Sequence, residues 1–270
     1  MLLGLAATGC SNQPARVPVQ SFSLNGRSRE EGGTAREERL MWPPEQTAII
    51  ICDMWDDHWC KMAAGRVAEM APRINSVIAV ARSLGARVVH APSDTLDFYA
   101  AAPQRLKILE APAVEPPVSI NSWCRLEPDK EGKLPIDDSD GGCDDADPLE
   151  EHRAWSRQHP AIEIAEGDVI SDDGREVYNY FRQQYVRHVA VMGVHTNMCV
   201  LGRSFGIRQM TKLGFDVVLV RDLTDAMYDP RDEPQVSHEE GTRLVIEHIE
   251  RHWAPSILSE DLTRTVQYSI

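Results

Sequence analysis

The chain has 270 residues, 42% of them apolar, with 42 acidic residues against 28 basic ones and a formal charge of −14. That length supports one large α/β domain or two small ones, with a core that needs neither disulfides nor metal. The acidic balance argues against a nucleic-acid partner, which requires a basic surface, and suits a small uncharged or cationic substrate.

Met1 to Thr8 is a short apolar run of small residues closing on Gly9-Cys10, with polar sequence after it. It reads as the end of a bacterial lipoprotein export signal, with Cys10 as the lipidated residue and the protein exported, membrane-anchored or periplasmic. The run is short and lacks a positively charged start, so a cytoplasmic chain with a frayed N-terminus is the alternative. Ser11 to Leu40 is rich in Gly, Ser, Arg and Glu, the composition of a tether. Residues 1–40 are therefore expected to be a signal remnant and flexible arm, and residues 41–270 the folded domain.

Trp42-Pro43-Pro44 marks the entry to that domain. Thr47-Ala48-Ile49-Ile50-Ile51-Cys52 is the continuous apolar run of a buried parallel strand, closed by Asp53. From Arg66 to Leu84 the apolar residues Val67, Met70, Ile74, Val77, Ile78 and Ala81 recur three or four apart, predicting an amphipathic helix that Gly85 stops. Ala86 to Ala91 is a second strand. A short helix over Glu176 to Gln184 leads into the strand Val189 to Met192. A helix over Met198 to Leu213 ends at Gly214, a strand follows over Asp216 to Val220, and a last helix runs from His238 to Arg251. No run reaches the roughly 18 apolar residues of a membrane helix.

This alternation predicts an α/β fold of three layers: a doubly wound, mostly parallel sheet flanked by helices. Chemistry in such sheets lies at the carboxyl ends of strands. Asp53, His90 to Asp94, His195 to Cys199 and Asp222 all fall there. The alternation breaks over about residues 112–160, a long insert of the kind that forms a lid or a mobile segment. Its aspartates match a calcium loop at Asp138 and Asp140 only; Gly142 and Leu149 stand where ligands are needed, so a solvated acidic loop is expected. If the protein is exported, Cys124 and Cys143 could pair across this insert. No Cys or His pair has zinc spacing and no glycine-rich nucleotide loop occurs, so neither a metal nor a cofactor is expected.

The most informative stretch is Gly193-Val194-His195-Thr196-Asn197-Met198-Cys199-Val200. It puts a cysteine between a buried strand and a helix, where free N–H groups and the helix dipole favour thiolate. A buried cysteine at such a junction can equally be a small core hydrophobe. Asp53 is its natural complement. An aspartate closing a buried strand is either a structural cap or a base able to take the thiol proton.

Together, a strand ending in Asp53, then Met54-Trp55-Asp56-Asp57, then Gly-Val-His-Thr-Asn-Met-Cys-Val, resembles the isochorismatase-like cysteine hydrolases, which include nicotinamidases and N-carbamoylsarcosine amidohydrolases. The resemblance spans about Thr47 to Leu258 and implies a parallel sheet flanked by helices. It implies that Cys199 is the nucleophile, Asp53 the base, and that a cis peptide precedes His195, whose backbone N–H forms an oxyanion hole with that of Cys199. His58 and Trp59 fall where the family often places an aromatic wall, and Asp94 is expected to face the pocket. All three are candidate substrate-binding residues.

The family also has a lysine about thirty-three residues before the cysteine. Counting back reaches Glu166, or Ser171 and Asp172 in an alternative alignment, and no lysine lies between Lys133 and Lys212. Arg153, Arg157 and Arg175 are the basic residues nearest that place, and Lys61 could approach from another element. The nicotinamidase metal pattern is likewise missing, since no histidine follows Asp94. The resemblance implies a homo-oligomer acting on an amide-like C–N bond of a small molecule. The alternatives are an altered family member that serves as a binding or scaffold protein, and a redox-responsive thiol with Cys52 as partner.

Overall fold

The computed structural model describes residues 18–30 and 32–269. The export-signal reading and Cys10 lie outside the described residues. In chain order the elements are β1 (Pro18–Arg29), β2 (Ala35–Trp42), β3 (Thr47–Cys52), α1 (Lys61–Ser83), β4 (Arg87–Ala91), α2 (Pro103–Leu109), α3 (Pro128–Glu131), β5 (Val169–Ile170), α4 (Gly174–Gln183), β6 (His188–Val194), α5 (Cys199–Gly202), α6 (Ile207–Lys212), β7 (Asp216–Asp225), α7 (His238–His252), β8 (Ser256–Ile257) and β9 (Thr265–Ser269). One sheet runs β2-β1-β8-β7-β6-β3-β4-β5, with β9 paired to β1. From β8 to β5 every pairing is parallel, and β1 joins β2, β8 and β9 antiparallel.

Alternation along β3 explains the three layers. Ala48, Ile50 and Cys52 face a core with Val177 and Phe181 of α4, Met210 of α6 and Ile249 of α7. Ile49 and Ile51 face the opposite core, with Val67, Ala71, Ile74 and Ile78 of α1. A strand covered on both faces has no solvent side, so its residues read as one apolar run.

Two sequence expectations are corrected. The flexible arm is a hairpin from Pro18 onward: β1 and β2 pair over eight residues, and Phe22 and Leu24 are fully buried in the α1-side core. Its outward residues are polar, which gave the segment the composition of a tether. The expected helix over Met198 to Leu213 is two short helices, α5 and α6, broken at Arg203-Ser204-Phe205-Gly206. Arg203 is extended at the C-terminus of α5, with φ −60° and ψ 156°.

The register between β6 and β7 shifts between Val191 and Gly193, at the end of the sheet that carries His195 and Cys199. Gly193 has φ +107°, and a Cβ there would lie 2.1 Å from the carbonyl oxygen of Cys52. Gly193→Ala is expected to cost about 3 kcal/mol or more, from overpacking against β3 and a left-handed backbone. Urea denaturation of the variant checks this.

Candidate active site

Asp53, His195 and Cys199 converge at the carboxyl ends of β3 and β6. Asp53 leaves β3 with φ +47°, a left-handed conformation that aspartate tolerates better than most side chains. Its side chain is fully buried, and its two oxygens are separately held. Oδ1 accepts from the Ser93 N–H at 2.8 Å, and Oδ2 accepts from Arg203 Nε at 3.0 Å. The Val194–His195 peptide is cis. The loop after it is tied down by Thr196 N–H to Asp225 O at 2.8 Å and by Met198 and Val200 N–H to His195 O at 3.0 and 3.1 Å.

Cys199 opens α5 and is buried. Burial pushes its thiol up from the ordinary range, as does the neighbouring Asp53 carboxylate, while Arg203 and the backbone N–H of His195 pull the other way. The resting group is therefore a thiol that faces a carboxylate. This corrects the thiolate expected from a helix N-terminus: α5 is a single turn, and desolvation outweighs its dipole.

Arg203 is the residue that sequence reasoning missed. It pairs with Asp53 through Nε at 3.0 Å and lies 3.8 Å from Asp94 through Nη2. Its guanidinium sits over the Trp123 ring, 5.6 Å from the centroid. The basic residues considered upstream lie elsewhere: Lys61 pairs with Asp57 at 2.7 Å and Arg157 with Asp56 at 3.9 Å. Asp172, one of the positions reached in counting back for a lysine, accepts from the Asp94 N–H at 2.8 Å. Burial raises its carboxyl, and Asp94 and Asp53 add to that. The signal for Arg203 was its place four residues after Cys199, one helical turn on, whereas the family pattern directs attention upstream.

A cavity of about 340 Å³ opens onto Cys199 and Arg203. Trp55, Trp59, Trp123 and Trp155 line it, four of the six tryptophans in the chain, together with His58, His195 and Asp94. All three candidate substrate-binding residues are thus on its wall. Trp55 and Trp155 stack at 4.2 Å and His58 stacks on Trp155 at 5.5 Å. His195 meets His58 edge-on at 5.1 Å. Burial pushes His58 down to about 4, and burial with His58 alongside pushes His195 down to about 3, so both imidazoles are neutral near pH 7. Nε2 of His195 and Nε1 of Trp155 are buried without a hydrogen-bond partner among the described residues.

The insert supplies Trp123, Gly141, Glu151 and Trp155 to this cavity. It is fixed over the site by the Cys124 N–H to Gly202 O bond at 2.6 Å and by the Asp56 N–H to Arg157 O bond at 2.9 Å. A Cβ at Gly202 would sit 2.7 Å from the Trp123 ring, so glycine lets the ring close over α5. The suggested Cys124–Cys143 disulfide is not formed. Cys124 Sγ donates to Gln209 Oε1 at 3.1 Å beside α6, and Cys143 packs with Cys60 and Trp59. A metal at Asp94 does not fit either, because the Arg203 guanidinium already stands against that carboxylate.

Among solved structures the chain is similar to a cysteine hydrolase from Pseudomonas syringae pv. phaseolicola 1448A, with a TM-score of 0.50 and 18% identity over 83% of this chain and 94% of that one. The chain shares the fold of that hydrolase, a mostly parallel sheet flanked by helices. An isochorismatase family protein from Desulfovibrio vulgaris subsp. vulgaris str. Hildenborough is 18% identical over 80% of this chain and 96% of its own, with a TM-score of 0.46. The pyrazinamidase of Pyrococcus horikoshii, solved in complex with zinc, is 16% identical over 79% and 99%, with a TM-score of 0.44. No protein-family model and no curated protein matches the sequence. At these identities the likeness establishes the fold alone; chemistry has to be argued from the site.

Proposed function

We propose that the chain is a hydrolase that cleaves an amide-like C–N bond of a small molecule through an acyl intermediate on Cys199. The observation that carries this reading is the contiguous set Arg203, Asp53 and Cys199, with the Arg203 guanidinium paired to the carboxylate beside the thiol. Asp53 takes the thiol proton as the sulfur attacks the carbonyl carbon, forming the C–S bond. The oxygen that gains the charge accepts from the backbone N–H groups of His195 and Cys199. As the C–N bond breaks, the proton on Asp53 passes to the leaving nitrogen. Water, deprotonated by Asp53, then cleaves the thioester and restores the thiol.

Arg203 is a positioning residue in this scheme. It holds the Asp53 carboxylate in one orientation beside the thiol and balances the buried charge, but a guanidinium does not give up a proton. The tryptophan-lined cavity suits a flat or cationic acyl group. A panel of small primary amides and carbamoyl compounds, read by ammonia release and by mass spectrometry of trapped acyl-enzyme, tests the reading. Absence of both turnover and adduct across the panel favours the binding-protein alternative.

Asp53→Asn separates the two roles of the carboxylate. It removes the base, so turnover is expected to fall about a hundredfold or more. It also removes a charge that raises the thiol, so iodoacetamide should label Cys199 faster at neutral pH than in the parent protein. Slower labelling in the variant would contradict the assignment of Asp53 as the partner of the thiol.

A further inference from the structure

A second cluster, outside the Cys199 site, joins the insert to α1. Cys60 stands at the N-cap of α1 and Cys143 in the acidic insert; both are buried. Their sulfurs and a carboxylate oxygen of Asp145 all lie within 4.8 Å of one another. We propose that Cys60, Cys143 and Asp145 form a binding site for a thiophilic divalent cation of the zinc class, which clips the insert to α1 beside the cavity.

The spacing is that of a coordination sphere. With Zn–S and Zn–O bonds of about 2.3 and 2.0–2.2 Å, the S to O edge of a tetrahedron is about 3.6 Å. Cys60 Sγ lies 3.6 Å from Asp145 Oδ1. The ligands are also held by groups that do not depend on an ion. Asp145 accepts from the Lys61 and Met62 N–H groups, each at 2.8 Å, in the first turn of α1. Its neighbour Asp144, whose Oδ1 also lies 3.6 Å from Cys60 Sγ, is gripped by Arg66 at 2.7 and 3.0 Å. Gly142, with φ +65°, passes so close to Met227 that a Cβ would lie 2.5 Å from its carbonyl oxygen. Only a glycine there delivers Cys143 to Cys60.

Charge balance favours a divalent ion. Binding replaces two thiol protons, which leave to solvent, and joins two thiolates and one carboxylate to a doubly charged cation. The remaining negative charge faces the N-terminus of the 23-residue α1 and the Arg66 guanidinium. No short cysteine spacing marks the site, because its ligands come from an element and a loop far apart in the chain. The consequence falls on the cavity wall. Trp59 precedes Cys60, and a Cβ at Gly141 would lie 3.3 Å from the Trp59 ring, so the clip fixes two residues that line the cavity.

The test is an anaerobic titration of the reduced full chain with Co²⁺. A thiolate-to-cobalt charge-transfer band with tetrahedral ligand-field bands should saturate at one ion per chain and bleach on adding Zn²⁺. Cys60→Ser and Cys143→Ser should lose the band, and Cys124→Ser should keep it. Asp145→Asn retains an acceptor for the α1 N–H groups, so it should fold and bind at least about tenfold more weakly. Circular dichroism verifies the fold of each variant. A missing band in the parent protein, or a band that survives Cys143→Ser, overturns the proposal. So does a Cys60–Cys143 disulfide in freshly purified protein that, once reduced, takes up no cobalt. None of these readouts depends on hydrolysis.

Discussion

Cys199→Ala is expected to lower kcat/KM for any amide the protein hydrolyses by at least about a thousandfold while leaving the fold intact. Without sulfur there is no atom to form the C–S bond, and Asp53 alone would have to drive direct attack by water. The structural cost is small, because Cys199 contributes one sulfur atom to a well-packed junction and nearby Val200, Leu201 and Phe205 remain. A thermal melt close to that of the parent, with turnover at background, is the expected pair of results. Cys199→Ser should be nearly as inactive, since a hydroxyl is a far weaker acid than a thiol and the site already raises the thiol it holds. Retained turnover in Cys199→Ala would remove the covalent scheme altogether.

Much of the sheet was legible because burial on both faces leaves a simple trace. β3 follows the apolar run Thr47 to Cys52, and α1 contains the spaced residues Val67 to Ala81. The hairpin β1–β2 was not legible, because an edge strand shows apolar residues on one face only and its other face is charged. The candidate site divides in the same way. Asp53 and Cys199 stand at strand ends, where position in the chain signals position in the fold. Trp123, Trp155 and the Cys60–Cys143 contact come from an insert without periodicity, and where such a segment lands depends on tertiary packing. Arg203 was hidden for another reason: the family pattern directs attention upstream of the cysteine, and a long helix was expected through it. The break after Gly202 turns it toward Asp53 instead.

Arg203→Met carries the second large effect. Methionine keeps much of the volume and leaves the Asp53 carboxylate buried opposite Cys199 without its cation. Removing one partner of a buried ion pair costs about 3–5 kcal/mol, so denaturant unfolding should register it. Catalysis should fall about a hundredfold or more, mainly in kcat, because the reach from Asp53 Oδ1 or Oδ2 to the thiol depends on how the carboxylate is held. Arg203→Lys should recover part of kcat, since the charge returns without the fork that meets Asp53 and Asp94 together. The decisive variant is Arg203→Met combined with Asp172→Lys, which returns a cation from the β5 side, near where the family pattern expects its lysine. If the site needs a positive charge against Asp53 and is indifferent to the element that supplies it, this double variant should turn over faster than Arg203→Met alone. A lysine can also donate a proton, so its pH profile should gain a limb that the parent lacks. A parent-like kcat in Arg203→Met would make the ion pair purely structural.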